Sequence, residues 1–362
     1  MPTDRSGPEL PVAIIGTGAI ARAHVSAARA QGGRLRLAGA LDIDPARAQA
    51  FCAEHGIPAA YADVDRMLAE VRPRIVMICT PPMTHADLCI RAMEAGAWAF
   101  CEKPLCSGLE QFDRIAAAED RTGNYTSSVF QWRFGSAGRH FRRIISEGVL
   151  GRPLVGVCNA TWYRDAAYYA VPWRGKWSTE IGGTSMGHGI HSMDFFLWLM
   201  GPWAEVRAMA GTLDRDIEVD DTSMALVRFE SGMMASFVNS CLCPREESYL
   251  RWDFQRATVE LTHLYAYGNE NWRFTPLKSE AESMAGSAWN IADNEHSSHA
   301  AQLRMTLEAM DAGRRPPVSG PDLRPTFEFV SALYKSAATG QIVRPGDIRP
   351  GDPFYRHVAG KL

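Results

Sequence analysis

The sequence contains no run of about 20 apolar residues, the length that a membrane-spanning helix needs. It also lacks an excess of charge of one sign, because 38 Lys and Arg stand against 41 Asp and Glu. A net charge of −3 gives no basic surface that would point to nucleic acid or to a membrane. The first eleven residues are polar and proline-rich, without the apolar core of a secretory signal. These absences favour a cytoplasmic protein with neither membrane nor nucleic-acid partners.

Regularly spaced cysteines are missing as well. The eight cysteines show no repeated spacing, and Cys241 and Cys243 have no second pair to complete a zinc site. Cys79, Cys89 and Cys101 lie in or beside apolar runs. We therefore expect reduced, buried thiols, in keeping with an intracellular protein, and no metal centre.

What the chain does have is two stretches of different pattern. A length of 362 residues is too long for one ordinary core and suggests two domains. Up to about residue 131, short apolar runs alternate with amphipathic helical stretches, which predicts a parallel sheet covered on both faces. Later segments mostly alternate apolar and polar residues, which predicts a large, mostly antiparallel open sheet. The predicted fold is an α/β domain at 1–133 followed by an α+β domain at 134–362.

The same patterns predict the individual elements. Strands are predicted at 12–15, 35–41, 75–79, 97–101, 125–130, 154–163, 204–212, 222–229, 233–241 and within 249–267. Helices are predicted at 19–31, 45–55, 85–95, 109–122, 137–147, 192–200, 298–312 and 324–338, with a loop at 278–294.

A glycine-rich turn follows the first strand directly and opens a helix, with the sequence Gly16-Thr17-Gly18-Ala19-Ile20-Ala21. Gly16 permits the tight turn, Gly18 lets the backbone approach a pyrophosphate, and Ala21 allows close packing of helix on strand. The helix N-terminus offers amide hydrogens to the phosphates. This strand–turn–helix context predicts a dinucleotide site that includes Ala19 and Ile20, the alternative being a plain glycine-rich turn.

Asp42 ends the second strand, about where a carboxylate meets the adenosine ribose of a dinucleotide. A carboxylate there accepts hydrogen bonds from both ribose hydroxyls and repels a 2′-phosphate, which predicts NAD as the cofactor in preference to NADP. The alternative is that Asp42 or Asp44 caps the helix that starts at Pro45. Asp44 directly precedes Pro45 and fits the cap better, which leaves Asp42 for the ribose.

Several short motifs follow one another farther along the chain, and their order is as informative as their sequences. Cys79-Thr80-Pro81-Pro82-Met83-Thr84-His85 follows the third predicted strand, and Glu102-Lys103-Pro104 follows the fourth. Gly182-Gly183, Gly189-Ile190-His191-Ser192-Met193-Asp194 and Leu333-Tyr334-Lys335-Ser336 come later. This ordered set resembles the glucose-fructose oxidoreductase and inositol dehydrogenase (Gfo/Idh/MocA) family over nearly the whole chain.

The resemblance implies a Rossmann domain that binds NAD, with Lys103 and His191 as catalytic residues and Glu102 at the nicotinamide ribose. It also implies that the cofactor is lined by Thr80, Pro81, Pro82 and His85. Pro104 is expected to hold the Glu-Lys-Pro turn, where an X–Pro bond tolerates the cis form. The ordinary alternatives are a solvated Lys103 at a strand end and a His191 packed in the core.

One position departs from the family pattern. Many members carry a carboxylate four residues before the catalytic histidine, and here that position is Gly187. His188 follows it, and an imidazole cannot serve as an anion. Asp194 lies three residues beyond His191 on the same helical face. It either orients His191 or places a favourable charge near the N-terminus of its helix.

Aromatic and cationic residues gather just before Gly182. Aromatic faces stack on the C–H faces of sugars and Arg donates to hydroxyls, so this stretch is predicted to bind substrate. The predicted substrate contacts are Arg164, Tyr168, Trp173, Arg174, His188, Lys103 and His191, with Arg133 as a weaker candidate. The alternative is a set of aromatics that pack at a domain or subunit interface.

Together these features predict an NAD-dependent oxidoreductase that moves hydride between the nicotinamide and a secondary alcohol of a sugar or cyclic polyol. Lys103 and His191 are expected to share the alcohol proton. Two alternatives remain: a redox-neutral NAD-dependent glycosidase, and a non-catalytic dinucleotide-binding regulator. The uncovered face of the second sheet predicts a homodimer or homotetramer.

Overall fold

The computed structural model describes residues 9–284 and 288–361, and these form two compact units. The first unit contains residues 9–106, 111–129 and 299–323, and the second contains the other described residues. The chain passes from the first unit to the second between residues 129 and 130, close to the predicted boundary at 133. The segment 299–323, however, was predicted in the second domain and belongs to the first.

The first unit alternates strands and helices along the chain. Its elements up to residue 129 are β1 (Leu10–Ile15), α1 (Ala21–Arg29), β2 (Leu35–Leu41), α2 (Pro45–His55), β3 (Ala60–Tyr61), α3 (Val64–Val71), β4 (Ile75–Ile78), α4 (His85–Glu94), β5 (Trp98–Cys101), α5 (Leu109–Thr122) and β6 (Thr126–Ser128).

The second unit is richer in long strands. Its elements up to residue 298 are α6 (Ser136–Ser146), β7 (Pro153–Tyr163), α7 (Ala166–Tyr169), α8 (Ile190–Met200), β8 (Trp203–Gly211), β9 (Thr222–Phe229), β10 (Met234–Ser240), β11 (Leu242–Phe254), β12 (Ala257–His263), β13 (Trp272–Pro276) and α9 (Ala281–Met284). The chain then adds α10 (His299–Asp311) to the first unit, and α11 (Arg324–Thr339) and α12 (Pro353–Arg356) to the second.

The sheet of the first unit is parallel throughout, in the order β3-β2-β1-β4-β5-β6. Every residue of β4 and β5 is buried, as expected for a parallel sheet covered on both faces. The chain order reverses between β1 and β4. Ligands of open parallel sheets bind beyond the carboxyl ends of the strands at such a point, so this edge positions the predicted dinucleotide site.

Helix α10 joins the first unit because its apolar side completes that unit's core. Leu303 and Leu307 pack into the same cluster as Val12, Ile14 and Val25. The side chain of Gln302 also donates to the carbonyl oxygen of Ser128, the last residue of β6 (2.6 Å). The amphipathic pattern of this helix was visible in the sequence, but its partner was not.

The sheet of the second unit has seven strands in the order β13-β12-β11-β7-β10-β9-β8. Only β7 and β10 pair in parallel among these strands, so the predicted mostly antiparallel sheet is confirmed. One face is covered by α8 and α11, where Phe196 contacts Phe237 and Trp252, and Phe329 contacts Trp203 and Phe237.

The opposite face of this sheet presents apolar side chains to solvent. Met209 is 79% exposed, Leu226 68%, Met234 56% and Met224 54%. Met209 and Met224 pair across β8 and β9, and Met234 pairs with Val155 across β10 and β7. These neighbouring positions form one apolar stripe across four strands, hereafter the open-face stripe (Met209, Met224, Leu226, Met234 and Val155).

Several element bounds differ from the predicted ones. The strand β3 and the helix α3 were not predicted, and the stretch 249–267 divides between β11 and β12. The segment 278–294, predicted as a loop, contains the short helix α9, and its residues 285–287 lie outside the described part of the chain.

No helix among the described residues combines the length and the apolar character required to cross a membrane. All eight cysteines are free, and seven of them are buried.

Candidate active site

The glycine-rich turn lies where β1 ends, and the backbone geometry requires its first glycine. Gly16 has a φ of +89°, and a Cβ there would stand 2.8 Å from the backbone of Cys79. A Cβ on Gly18 would meet nothing within 4 Å, and Gly18, Ala19 and Ile20 are exposed. Ile20 is the N-cap of α1 and supplies no side-chain acceptor to the first amides of the helix. The turn therefore leaves open space at a helix N-terminus, which suits a pyrophosphate.

The carboxylate of Asp42 is hydrogen-bonded to this turn. Its Oδ2 accepts hydrogen bonds from the amide (2.9 Å) and the hydroxyl (2.8 Å) of Thr17, and its Oδ1 accepts from the amide of Asp44 (3.0 Å). Burial raises the pKa of this carboxyl, but the hydrogen bonds outweigh burial, and the net pKa is lowered. Asp44 is the N-cap of α2 and accepts from the amides of Ala46 and Arg47. The structure thus assigns the cap to Asp44, as predicted, and keeps Asp42 anionic.

The loops after β4 and β5 are joined by His85. The ring nitrogen Nδ1 of His85 lies 2.7 Å from the carbonyl oxygen of Pro104, and Nε2 lies 2.8 Å from that of Thr80. His85 is fully buried, so its part in the predicted cofactor lining is to connect two loops rather than to face a ligand. Pro82 is also buried, whereas Thr80 and Pro81 are partly exposed. The Lys103–Pro104 peptide bond is cis.

Glu102 is held by two histidines that are distant in sequence. Nε2 of His24 and Nε2 of His299 both lie 2.9 Å from Oε1 of Glu102. Burial raises the pKa of this carboxyl, but the two hydrogen bonds outweigh burial and hold the pKa well below its usual range. Burial lowers the pKa of His24, which keeps that imidazole neutral and able to donate. The three ligand atoms lie within 4.8 Å of one another, and hydrogen bonding accounts for this approach.

In the second unit, His191 stands on the first turn of α8. A π-helical turn at Ser185–Gly189 runs directly into this helix. The imidazole of His191 stacks on Trp132, with ring centres 5.7 Å apart, and meets the edge of Phe130 at 5.8 Å. His191 is 6% exposed. Its ring is therefore held in a defined orientation by aromatic packing, and π-helical turns of this kind are frequent at functional sites.

The carboxylate of Asp194 binds an arginine and a threonine. Its Oδ2 accepts from Nε of Arg133 (2.7 Å) and its Oδ1 accepts from the hydroxyl of Thr326 (2.7 Å). Arg133 and Asp194 form a buried ion pair, with side chains 4% and 1% exposed. Asp194 thus connects Arg133 to α11, and Arg133, predicted as a weaker substrate contact, lies in this buried ion pair.

The predicted substrate contacts Arg164, Tyr168 and Arg174 do come together, and they meet at His188. Nε of Arg164 donates to Nε2 of His188 (3.2 Å), and the Tyr168 hydroxyl lies 3.3 Å from the same nitrogen. Arg174 donates to that hydroxyl, and its guanidinium lies 3.7 Å from the Tyr168 ring centre and 4.3 Å from that of Trp173. Burial raises the pKa of Tyr168 to about 12, so its hydroxyl stays protonated.

The turn that carries His188 is positioned by a buried carboxylate. Asp220 accepts from the amides of Gly183 (2.9 Å) and Ser185 (3.0 Å) and from the hydroxyl of Tyr334 (2.6 Å). Burial raises its pKa, while these hydrogen bonds act in the opposite direction. A Cβ on Gly183 would stand 1.8 Å from the carbonyl oxygen of Asp220, so glycine is required there. Two of the sequence motifs thus meet at Asp220.

Two family models match this chain. Residues 10–130 match an oxidoreductase family with an NAD-binding Rossmann fold, and residues 139–266 match the Gfo/Idh/MocA C-terminal domain. The chain belongs to the Gfo/Idh/MocA oxidoreductase family. It is an NAD-binding oxidoreductase of a family that contains sugar and polyol dehydrogenases.

Relatives in this family span almost the whole chain. D-glucoside 3-dehydrogenase of Escherichia coli is 26% identical over 91% of this chain and 96% of its own length. D-apiose dehydrogenase of Paraburkholderia graminis is 25% identical over 91% of this chain and 88% of its own length. The WlbA dehydrogenase of Chromobacterium violaceum, solved with NADH and UDP-GlcNAcA, is 27% identical with a TM-score of 0.83, over 95% and 98% of the two chains.

At the position where many Gfo/Idh/MocA members carry a carboxylate, the carboxylate of a nearby residue approaches instead. Oε1 of Glu180 lies 3.8 Å from the place that a Cβ on Gly187 would take. Glu180 is 5% exposed, and its Oε2 accepts from the amide of Gly175 (2.6 Å). Its neighbour Ile181 has a φ of +76°, a strained conformation for a β-branched residue. The absence of a carboxylate at Gly187 therefore does not leave this region without an anion.

Sequence reasoning missed four residues of the candidate site. Glu180 and Glu246 pair with Arg174 and Arg164, and His24 and His299 hold Glu102. Glu180 stands two residues before the Gly182-Gly183 motif, which was a usable local signal. The other three are brought in by α1, α10 and β11, so no local pattern could have identified them.

Proposed function

We propose that the protein is an NAD-dependent dehydrogenase that transfers hydride between the nicotinamide and a secondary alcohol of a sugar or cyclic polyol. One observation carries this proposal. Within the NAD-binding unit, the Glu102-Lys103-Pro104 turn is fixed at the carboxyl edge of the parallel sheet by His24, His299 and His85. A side chain that is held at this edge stands where parallel sheets bind their ligands, and a pure binding protein has no need of a lysine there.

The residues of the first unit fit the cofactor. The open space at Gly18 and the first turn of α1 suit the pyrophosphate, and Asp42 suits the adenosine ribose. When bound, the oxidised nicotinamide accepts the hydride. The anionic Asp42 supports NAD rather than NADP, and Thr80 and Pro81 remain proposed contacts of the cofactor.

Lys103 and His191 are proposed to handle the proton. Oxidation of an alcohol removes a hydride from the carbon and a proton from the hydroxyl, and leaves a ketone. The ammonium of Lys103 stabilises the developing alkoxide, and the imidazole of His191 accepts the proton. Stacking of His191 on Trp132 supports this role because it fixes the direction of the ring nitrogens.

The substrate class follows from the relatives and from the cluster around His188. D-glucoside 3-dehydrogenase and D-apiose dehydrogenase are named for carbohydrate substrates. Tyr168 and Trp173 offer aromatic surface, and Arg164 and Arg174 offer donors for hydroxyls. We propose that these residues, with His188, bind the sugar or polyol.

A screen of NAD⁺ reduction over neutral sugars, glycosides and cyclic polyols tests the function. Lys103→Ala is expected to lower turnover on the order of 10² or more, as loss of an acid–base residue does, while NAD binding persists in calorimetry. Glycoside cleavage without net NADH would instead identify the redox-neutral glycosidase. NAD binding without turnover on any member of the panel would favour the regulator.

Assembly and location complete the proposal. The open-face stripe is a contiguous apolar surface of the kind that marks association, and it supports a homodimer or homotetramer through this sheet. The eight free cysteines support a reducing, cytoplasmic location.

A further inference from the structure

The cations of the cluster around His188 are already matched by anions. Nη1 of Arg164 lies 2.9 Å from Oε1 of Glu246, and Nη1 of Arg174 lies 3.4 Å from Oε1 of Glu180. Nε2 of His188 accepts a hydrogen bond from Arg164, so the imidazole is not doubly protonated. Two guanidinium groups and two carboxylates therefore sum to no net charge.

We propose that the sugar or polyol bound at this cluster is electrically neutral, and that Glu180 and Glu246 exclude its carboxylate or phosphate analogues. This inference rests on the proposed sugar dehydrogenase function and specifies its substrate. Carboxylates and phosphates are recognised by Arg donors that are free to form two parallel hydrogen bonds. Here an incoming anion must displace a carboxylate from each guanidinium or stand beside that carboxylate.

Glu180 is the stronger of the two determinants. Its side chain is 6% exposed, and its Oε2 is anchored by the amide of Gly175. If Glu180 lost Arg174 to a substrate anion, it would remain as a buried carboxylate without its cation, which is costly. Glu246 is 37% exposed, so water can solvate it when Arg164 moves. The Arg174–Glu180 pair therefore contributes most of the selectivity against an anionic substrate.

A neutral polyol fits the same pairs without this cost. Each hydroxyl both donates and accepts, so neighbouring hydroxyls can donate to the carboxylate and accept from the guanidinium of one pair. The protonated Tyr168 hydroxyl, beside Arg174, adds a further group of the same kind. The cluster can thus form hydrogen bonds to both hydroxyls of a diol while both ion pairs stay intact.

Matched pairs of substrates test the proposal. We would measure kcat/KM with NAD⁺ for glucose, galactose and mannose against glucuronate, galacturonate and mannuronate, with the full-length enzyme. The neutral member of each oxidised pair is expected to be preferred by about 10²-fold or more, the size of effect expected when a buried group loses its partner. Glu180→Gln should lower the ratio of kcat/KM for the neutral sugar to kcat/KM for the uronate by about tenfold, and Glu246→Gln should lower it by less. Glu230→Gln, an exposed control in the same unit, should not change it.

The outcomes separate this inference from the function on which it rests. Equal or better oxidation of the uronates by the wild type overturns the neutral-substrate inference and leaves the dehydrogenase intact. Oxidation of no member of any pair, with NAD bound, overturns both. If Glu180→Gln does not fold, three other measurements decide. They are the wild-type ratio of kcat/KM for neutral sugar to kcat/KM for uronate, the same ratio in Glu246→Gln, and the inhibition constants of the uronates. Strong competitive inhibition by uronates contradicts the proposal.

Discussion

Asp42 offers the sharpest test of the cofactor site, through the preference for NAD over NADP. Replacing Asp42 with Ser removes the carboxylate that stands at the end of β2 and accepts two hydrogen bonds from Thr17. Its lowered pKa means that it is ionised at neutral pH and meets a 2′-phosphate as a like charge. The substitution therefore removes both a repulsion toward NADP and an acceptor for the ribose of NAD.

The expected magnitude follows from the charges. Two unit charges at 4 Å near a protein surface interact by about 4 kcal/mol, which corresponds to roughly a 10³-fold preference. Hydrogen bonds from the ribose to a charged acceptor contribute about 1.5–3 kcal/mol. The wild type should thus prefer NAD by about 10³-fold in kcat/KM, and Asp42→Ser should bring the two cofactors within roughly tenfold of each other. Arg47, whose Nη1 lies 3.5 Å from Oδ1 of Asp42, should then favour the 2′-phosphate.

Steady-state kinetics with both cofactors at one ionic strength checks this expectation. Asp42→Asn keeps an acceptor for Thr17 but loses the charge, so it should lose most of the preference. Thr17→Val keeps the charge and removes one donor, so it should retain the preference. A wild type with the higher kcat/KM for NADP, or an unchanged ratio in Asp42→Ser, would refute the assignment of Asp42.

Three further predictions concern stability and assembly. Gly183→Ala should destabilise the second unit by about 3 kcal/mol or more, because the new Cβ meets the Asp220 carbonyl at 1.8 Å, whereas Gly187→Ala should leave the melting temperature nearly unchanged. Glu102→Gln should cost on the order of 3 kcal/mol at pH 7. Because the folded pKa of Glu102 is depressed, its contribution is present above the ordinary carboxyl pKa and lost as pH falls through the folded pKa. The difference in melting temperature between Glu102→Gln and the wild type should therefore become smaller as the pH is lowered. A difference that does not change with pH would contradict this expectation. If the protein forms the proposed oligomer, Leu226→Lys should convert it to monomer in sedimentation, whereas Leu277→Lys, an exposed control, should not.

The fold was largely predictable because its signals are local. The helices Pro45–His55 and Leu109–Thr122 and the strands Leu35–Leu41 and Thr222–Phe229 have the bounds that their periodicities predict. Helix α3 was missed although Asp63 caps it and accepts from the amide of Arg66, a signal that the sequence contained. The two-residue strand β3 carries no such signal. The assignment of α10 to the first unit depends on packing, which no local pattern reports.

The candidate site was predictable in its residue types but not in its partners. The cap was assigned correctly to Asp44 because a cap depends on immediate neighbours. Arg133 was a weaker candidate for a substrate contact, and nothing in the sequence indicated its pairing with Asp194 on α8, 61 residues away. The carboxylate beside Gly187 comes from Glu180, which a strained Ile181 and the amide of Gly175 hold in place. Pairing of charges as far apart in sequence as Arg133 and Asp194 is a property of the fold.

This pairing changes how substitutions at the substrate cluster must be designed. Arg174→Ala should raise KM for the sugar if Arg174 binds substrate, and it also leaves Glu180 as a buried carboxylate without its cation. Removing one partner of a buried pair costs up to about 3–5 kcal/mol, and the value here should be smaller because Arg174 is partly exposed and the distance is 3.4 Å. Arg174→Ala should therefore lower the melting temperature as well as raise KM.

The double variant separates the two effects. Glu180→Gln with Arg174→Ala removes both charges, so it should recover much of the stability lost in Arg174→Ala while KM for the sugar stays high. NAD affinity should remain nearly unchanged in Arg174→Ala, in Glu180→Gln and in the double variant, because every contact described for this pair lies within the second unit. Additive losses of stability in the double variant would show that Arg174 and Glu180 are not coupled. A KM that returns to the wild-type value would show that Arg174 supports the fold and does not touch the sugar.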